Sequence, residues 1–279
     1  MSNSFAIVSL GLLGGSLAAA IRKRFKSAKI VAISRSPQKI AFAKKKRWID
    51  QGFTTLSAKA LRNVGFVLVC SPVDVIPRHV RETDRFAKPG TIVTDVGSTK
   101  SEIVRWVDGR KFKNIKFVGS HPLAGSHLTG ARHARADLFE GAFVFMTPTR
   151  KSHREAVRSV SSFWKKLGAQ VRIFSPEAHD QTVSQISHLP HAVASILMHA
   201  SSPKPLGYAA TGFSDTTRVA QGDPKLWAPI FFTNRAHLIR DLSRFEKILR
   251  QLTFFLKRRS KSSIHKFLET ASQRRRKIG

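Results

Sequence analysis

Hydrophobic positions fall along this chain in two different rhythms. Up to about residue 174, short apolar or β-branched runs alternate with stretches whose apolar residues recur at helical spacing. Phe5–Leu10, Lys29–Ser34, Val64–Ser71, Gly90–Asp95, Ile115–Gly119, Ala142–Met146 and Gln170–Phe174 read as strands. Helices are expected from Gly14 to about Phe25, Pro37 to Lys46, after Pro72, across Thr99–Val107 and from about Ser152 to Leu167. This alternation predicts a mostly parallel sheet with helices on both faces. After Ser175 the strand-like runs vanish, and helices are expected over Pro176–Ser187, Pro190–Ser201 and Pro224–Leu256. In the last of these Ile230, Phe231, Leu238, Leu242, Phe245, Leu249, Leu252 and Phe255 recur at intervals near three, four and seven. Ser202–Pro205 reads as a loop, and Ile264, Phe267, Leu268 and Ala271 as a short amphipathic helix near the end. The pattern therefore divides the chain into an α/β domain, 1–174, and an all-helical domain, 175–279.

Composition sharpens this picture without redirecting it. A chain of 279 residues with 42% hydrophobic content can bury a substantial core, which excludes wholesale disorder. Phe5–Ile21 is almost continuously apolar and precedes Arg22-Lys23-Arg24, but no positive charge lies in Met1–Ser4 as a secretory signal requires. The run is also shorter than the ~20 residues of a spanning helix and is broken by glycines. It reads as a strand, a glycine turn and the start of a helix, so a cytoplasmic protein without membrane association is expected. The single cysteine, Cys70, excludes an intramolecular disulfide and any multi-cysteine metal site. Lys plus Arg number 49 against 17 Asp plus Glu, a formal net charge of +32. Such a balance invites anionic partners, but it speaks to steering and solubility rather than to fold.

Three constellations carry candidate chemistry. The first is Ser9-Leu-Gly11-Leu12-Leu13-Gly14-Gly15-Ser16, which follows a strand and opens a helix. In a dinucleotide fingerprint one glycine lets the backbone approach the pyrophosphate and the next permits close helix–strand packing, with the helix N-terminus facing the phosphates. Gly11 and Gly14 fill those places, while Ser9 stands where the first glycine is usual. A plain structural turn would look similar. The second is Ser34-Arg35-Ser36, about 20 residues on, where an NAD enzyme usually places a carboxylate on the ribose 2′-hydroxyl. Arg35 can instead pair with a 2′-phosphate and Ser34 or Ser36 can hydrogen-bond it, which favours NADP over NAD. A solvated surface arginine is the plainer reading. The third is His121, in a Ser-His-Pro turn expected just after a strand at the carboxyl end of the sheet, where α/β folds bind ligands. A neutral imidazole there suits proton abstraction from an alcohol near pH 7.

Five blocks in order then resemble the prephenate and arogenate dehydrogenases of tyrosine biosynthesis. They are Val93–Lys100, Gly119–Ser126 with Ala136–Gly141, Ile186–His191, Gly212–Ala220, and Asp223–Trp227 with Asn234. The resemblance implies a Rossmann-type nucleotide-binding domain followed by a helical dimerisation domain, hence a homodimer. It implies oxidative decarboxylation of prephenate to 4-hydroxyphenylpyruvate, or of arogenate directly to tyrosine. It assigns His121 as the group that accepts the proton of the ring hydroxyl, and Ser98 as the serine that orients it. Ser98 could equally cap the helix expected at Thr99–Val107. The resemblance further assigns Arg218 to a substrate carboxylate and His188 and His191 to the substrate pocket. The histidine pair would suit a metal by spacing, but no acidic or cysteine ligand nearby completes a site. His127, where many relatives carry an acidic residue, leans toward prephenate, whereas the NADP signal leans toward arogenate. Nothing in the length suggests a fused mutase or regulatory module.

Two rivals remain open on sequence. Related hydroxy-acid dehydrogenases share the architecture but would want a catalytic lysine in the helical domain and leave the Ser-His-Pro and Asp-Thr-Thr-Arg blocks unexplained. A polyanion-binding protein on a dehydrogenase scaffold would use Lys257-Arg-Arg259 and Arg274-Arg-Arg-Lys277. No nucleic-acid motif accompanies those runs, and the charge is spread over both domains, so nucleic acid is not expected as a partner.

Overall fold

A computed structural model of the chain describes residues 3–125 and 130–278. The α/β portion runs β1 (Ser4–Val8), α1 (Leu12–Arg24), β2 (Lys29–Ile33), α2 (Pro37–Lys45), β3 (Gln51–Phe53), α3 (Ala58–Leu61), β4 (Phe66–Val69) and α4 (Ile76–Phe86). It continues with β5 (Thr91–Asp95), α5 (Ser101–Asp108), β6 (Ile115–Pro122), β7 (Phe143–Thr147), α6 (Arg154–Lys166) and β8 (Gln170–Ile173). Among the described residues these strands form one eight-stranded sheet in the order β3-β2-β1-β4-β5-β6-β7-β8. All pairs are parallel except β6 with β7, and β8 is again parallel to β7. The chain starts at β1, works outward to β3, then returns to the other side of β1. The order therefore reverses between β1 and β4, which opens a crevice at the carboxyl ends of those strands.

Alternation along the central strands feeds both faces of the sheet. Phe5 and Ile7 point into one core with Leu17, Ile21, Phe66, Leu68 and Phe163. Ala6 and Val8 point into the other with Val67, Val69, Ile76, Val80 and Ile103. On the first face the Phe163 ring of α6 lies 5.8 Å from Phe5 and 5.0 Å from Phe66, centroid to centroid. Burial of a large side chain of this kind stabilises by about 1.5–3 kcal/mol.

Several boundaries differ from the sequence reading, each for a visible reason. β3 was not expected, because Gln51-Gly-Phe53 is too short to show a period; it is an edge strand, and its Phe53 carbonyl accepts from the Ser34 amide at 2.9 Å. β6 does not end at Gly119. Its last four residues pair antiparallel with β7, Gly119 opposite Thr147 through Pro122 opposite Val144, so His121 sits in a strand rather than in a loop. The helix expected at Thr99 begins at Ser101.

From residue 176 onward the described chain is helical, with α7 (Pro176–Val183), α8 (Leu189–Ala200), α9 (Pro203–Leu206), α10 (Thr211–Thr217), α11 (Pro224–Thr233), α12 (Arg235–Lys257) and α13 (Lys261–Arg276). α7 and α8 do not separate at Pro190. They join through a π turn, Ser184–His188, in which the Leu189 amide donates five residues back to Ser184. Pro190 has no N–H to give the preceding turn, and a widened turn accommodates that without ending the helix. Most of the loop expected at Ser202–Pro205 is taken up by the one-turn helix α9, which runs on to Leu206. The long helix expected over Pro224–Leu256 breaks at Asn234, whose φ of −110° and ψ of 21° leave the helical region.

The chain forms two compact units, residues 1–234 and 235–279. The second is the α12–α13 pair, which turns at Arg259 with φ of 50° and exposes Ile239, Ile248, Leu249, Phe254 and Leu268. No helix among the described residues is long and apolar enough to cross a membrane.

One backbone position bears directly on the glycine turn. Ser9 has φ of 80°, the left-handed region that favours glycine, and an added Cβ on Gly14 would land on the Ser9 carbonyl oxygen. Ser9 thus carries a conformational cost that glycine would not. Ser9→Gly is expected to stabilise the protein by about 1 kcal/mol, raising Tm by about 2–4 °C in thermal unfolding followed by circular dichroism. An unchanged or lower Tm would show that the serine side chain compensates.

Candidate active site

The β1–α1 turn lies at the mouth of the crevice. Gly11 precedes α1, no side chain caps the helix, and no carboxylate sits in its first turn. The amides at Leu12 and Leu13 therefore face outward as free donors, with the helix dipole favouring an anion before them. A Cβ on Gly11 would meet nothing within 4 Å, so the space over the turn is open on the side where a diphosphate would lie. The residues present thus fit a dinucleotide. At the end of β2, Ser34 is buried and Ser36 caps α2, its hydroxyl accepting from the Lys39 amide at 3.3 Å. Arg35 between them is exposed, and no carboxylate among the described residues pairs with it.

The carboxyl end of β6 carries the second part of the site. His121 Nδ1 lies 2.9 Å from His179 Nε2, and His179 Nδ1 lies 2.7 Å from the Asp180 carboxylate. Asp180 also accepts from the backbone amides of Lys100 at 2.7 Å and Ser101 at 2.9 Å, which are the orphan donors at the start of α5. Burial works against its charge, yet His179 and those amides outweigh it and hold the carboxyl below its ordinary pKa. An ionised Asp180 can only accept, so His179 carries its proton on Nδ1 and presents a bare Nε2 to His121. His121 must then donate from Nδ1. Its Nε2 is left unprotonated, as a proton acceptor requires. Burial, followed by the nearby His179, Lys100 and His188, pushes the His121 pKa well below the usual histidine value. The imidazole is therefore neutral at pH 7.

Beneath the relay sits a fully buried ion pair, Lys100 with Asp95. Asp95 also accepts from the Ser120 amide at 3.1 Å and the Gly97 amide at 2.9 Å, which fixes the strand next to His121. Ser98 lies half-buried in the same turn. It does not cap α5, because Asp180 already occupies the amides a cap would take.

The helices supply three further residues. His188, in the π turn, accepts at Nδ1 from the Asn234 amide at 3.0 Å; the same amide donates to the Asp180 carbonyl at 2.8 Å. Burial lowers the His188 pKa to about 4. His191 stacks on Trp227 with centroids 3.7 Å apart and an interplanar angle of 13°, and its Nδ1 is buried without a hydrogen-bond partner. An added Cβ on Gly222 would strike both rings, so that stack depends on the glycine. Arg218 is exposed in the Arg218–Gln221 turn, which packs against α8. Electrostatics link His121, His179 and His188, whereas no hydrogen bond or ion pair among the described residues joins Arg218 to them.

Sequence reasoning missed His179 and Asp180, and Asn234 entered only by resemblance. His179-Asp180 lies in an ordinary helical stretch, and only the fold shows that it meets both α5 and β6. His127 and Ser126 lie outside the described residues. Among the described residues no group of three or more His, Cys, Asp or Glu is placed to hold a metal.

Comparison with known proteins points one way. The profile described as "Prephenate dehydrogenase, nucleotide-binding domain" matches residues 17–173, and that described as "Prephenate dehydrogenase, dimerization domain" matches residues 175–270. The prephenate dehydrogenase of Bacillus subtilis is 31% identical over 99% of this chain and 76% of its own length. The crystal structure of Aquifex aeolicus prephenate dehydrogenase with hydroxyphenyl propionate and NAD+ superposes with a TM-score of 0.93 at 32% identity, covering 100% of this chain and 99% of that one. Synechocystis arogenate dehydrogenase gives a TM-score of 0.82 at 27% identity, covering 99% of this chain and 100% of that one.

The buried histidines set a pH dependence of stability. Unfolded, His121, His179 and His188 take up protons near the usual value of about 6.5. Folded, all three have lowered pKa values, with His188 near 4. Below pH 6.5 the unfolded chain binds more protons, so stability falls as pH falls, on the order of 1 kcal/mol per pH unit for each histidine. Urea unfolding at pH 7.0, 6.0 and 5.0 should show a steady loss, and a flat profile would contradict buried neutral imidazoles.

Proposed function

Because the chain belongs to the prephenate dehydrogenase family, we propose that it oxidatively decarboxylates prephenate to 4-hydroxyphenylpyruvate at the carboxyl end of its sheet. The observation that carries this reading is the His121–His179–Asp180 relay, which leaves one imidazole nitrogen bare. His121 Nε2 takes the proton of the ring hydroxyl. His179 shares the resulting positive charge through its hydrogen bond, and Asp180 stabilises it without itself being protonated. The rigid backing of the relay matters as much as its basicity. Asp180 is held by two amides and Asn234 fixes His188 beside it, so the base does not need to reorient.

Substrate carboxylates fall to Arg218, whose planar guanidinium binds carboxylate in a bidentate way, and to His188 and His191. Ser98 orients the hydroxyl toward His121. When bound, the dinucleotide supplies the acceptor for the hydride that leaves the ring carbon, while the ring carboxylate departs as carbon dioxide. Gly11, Leu12, Leu13 and Gly14 hold its diphosphate, and Ser34, Arg35 and Ser36 its ribose end. Exposed, unpaired Arg35 with no carboxylate beside it supports NADP over NAD. The reading also includes a division at 174/175 between nucleotide-binding and helical parts, with the latter forming a homodimer, and a cytoplasmic setting.

The test is reduced-nicotinamide absorbance with prephenate and with arogenate, each with NADP+ and NAD+. Turnover of prephenate with NADP+ preferred is expected. His121→Asn should lower kcat by about 10²–10⁴-fold with little change in dinucleotide affinity. Arg218→Lys should act mainly on KM, because lysine loses the bidentate contact. Faster turnover of arogenate would reassign the substrate within the family, and no turnover of either would overturn the reading.

A further inference from the structure

The strand order places β2, β1 and β4 side by side, so three loops share the crevice: Ser34–Ser36, Ser9–Gly11 and Cys70–Val75. Arg35 lies on the first. The helix that follows the third, α4, carries a group with no part in the relay. His79, in α4, has its ring half-buried with Nδ1 2.5 Å from the hydroxyl of Ser71. That contact aims the ring, and the helix secures its backbone. The His79 amide donates to Val75, and its carbonyl accepts from the Thr83 hydroxyl at 2.7 Å. Its Nε2 has no hydrogen-bond partner among the described residues.

The charges around this ring come from two elements. Arg78 and Glu82 share α4 with it and pair with each other at 2.8 Å. Arg35 reaches it from the β2–α2 loop. Burial foremost, then Arg78 and Arg35 against the pull of Glu82, keep His79 below its ordinary pKa. An unpaired arginine near a neutral imidazole sets up a positive field, and charging the ring there is opposed by repulsion. Only an anion relieves that repulsion.

We propose that His79 completes the dinucleotide 2′-phosphate site with Arg35 and takes up a proton as the phosphate arrives. This rests on the NADP reading of Arg35. In the free protein the Ser71 hydroxyl donates to Nδ1. In the bound state Nδ1–H donates to Ser71 instead, and Nε2–H donates to a phosphate oxygen beside the guanidinium. The proton comes from solvent, and no bond other than hydrogen bonds changes. NAD+, with a 2′-hydroxyl, offers no charge to drive the uptake. Discrimination between the two dinucleotides thus depends on a residue far from the Ser-Arg-Ser turn in sequence.

Titration calorimetry at pH 7.0 in two buffers of different ionisation enthalpy measures both affinity and protons taken up. The phosphate, with a second pKa of about 6, is already mostly dianionic there, so its own titration contributes little to the proton count. Wild type should take up a fraction of a proton with NADP+ and none with NAD+. His79→Asn keeps an acceptor for Ser71 but cannot charge. It should abolish the uptake and shrink the NADP+/NAD+ affinity ratio by on the order of tenfold, the size of one charge-assisted hydrogen bond. Arg35→Ala, measured alongside, tests the cofactor reading itself. If NADP+ is preferred, Arg35→Ala removes that preference and His79→Asn changes neither uptake nor ratio, the His79 inference alone is overturned. If wild type shows no preference for NADP+, the Arg35 reading falls first. Equal weakening of both dinucleotides by His79→Asn would place the ring against the adenine and refute a phosphate role.

Discussion

The carboxylate of Asp180 is the contact on which the rest of the site depends. It accepts from two backbone amides at the start of α5 and from the ring of His179. A helix N-terminus wants a negative charge, and here the charge comes from another helix rather than from a local serine or aspartate. The arrangement locks α7 onto the sheet through α5 and fixes the imidazole tautomer of the adjacent residue. Structure and reactivity are thereby joined in one functional group. Removing it would leave orphan amides and a histidine free to flip, so its energetic and chemical contributions cannot be separated by any single substitution.

A second buried acid works in a similar way one layer down. Asp95 ends β5, and its carboxylate takes Lys100, the Gly97 amide and the Ser120 amide. Burying such a pair seldom adds stability over an apolar pair of the same size. What it provides is position. The antiparallel half of β6 has β7 on one side and, at Ser120, the Asp95 carboxylate on the other, and it is this half that carries His121.

Much of this was legible in the sequence. The alternation of apolar runs revealed the parallel sheet because buried strands cannot hide their composition, and Gly11 and Gly14 marked the turn, Gly14 because a Cβ there would strike the Ser9 carbonyl. His121 was found through its local neighbours. Its surroundings were misjudged, since pairing with β7 depends on residues more than 20 positions away. His179 and Asp180 left no local trace at all. Their importance comes from contacts 58 and 80 residues back along the chain, which periodicity does not encode. The helix breaks failed in both directions. Pro190 suggested a stop that the π turn absorbs, and Asn234, an unremarkable helical residue by propensity, stops a helix because its side chain is needed by His188 and the Asp180 carbonyl. The net charge of +32, conspicuous at first, explains little of the architecture. The ion pairs at Arg24–Glu140, Arg78–Glu82 and Arg250–Glu246 are solvent-accessible, so water and salt screen them and they contribute little.

The π turn between α7 and α8 has a geometric consequence. His179 and His188 are nine residues apart, about two and a half turns of a regular α-helix, which would set them on opposite sides. A turn that closes five residues back instead of four winds more slowly and takes up part of that half-rotation. Both rings then come within electrostatic reach of His121. The widened turn works like a vernier on the helix, trading a little regularity for aim. In effect it absorbs one residue: with one residue deleted between them, the two histidines would stand eight apart in a regular helix, about 80° from each other, and keep nearly the same relative direction.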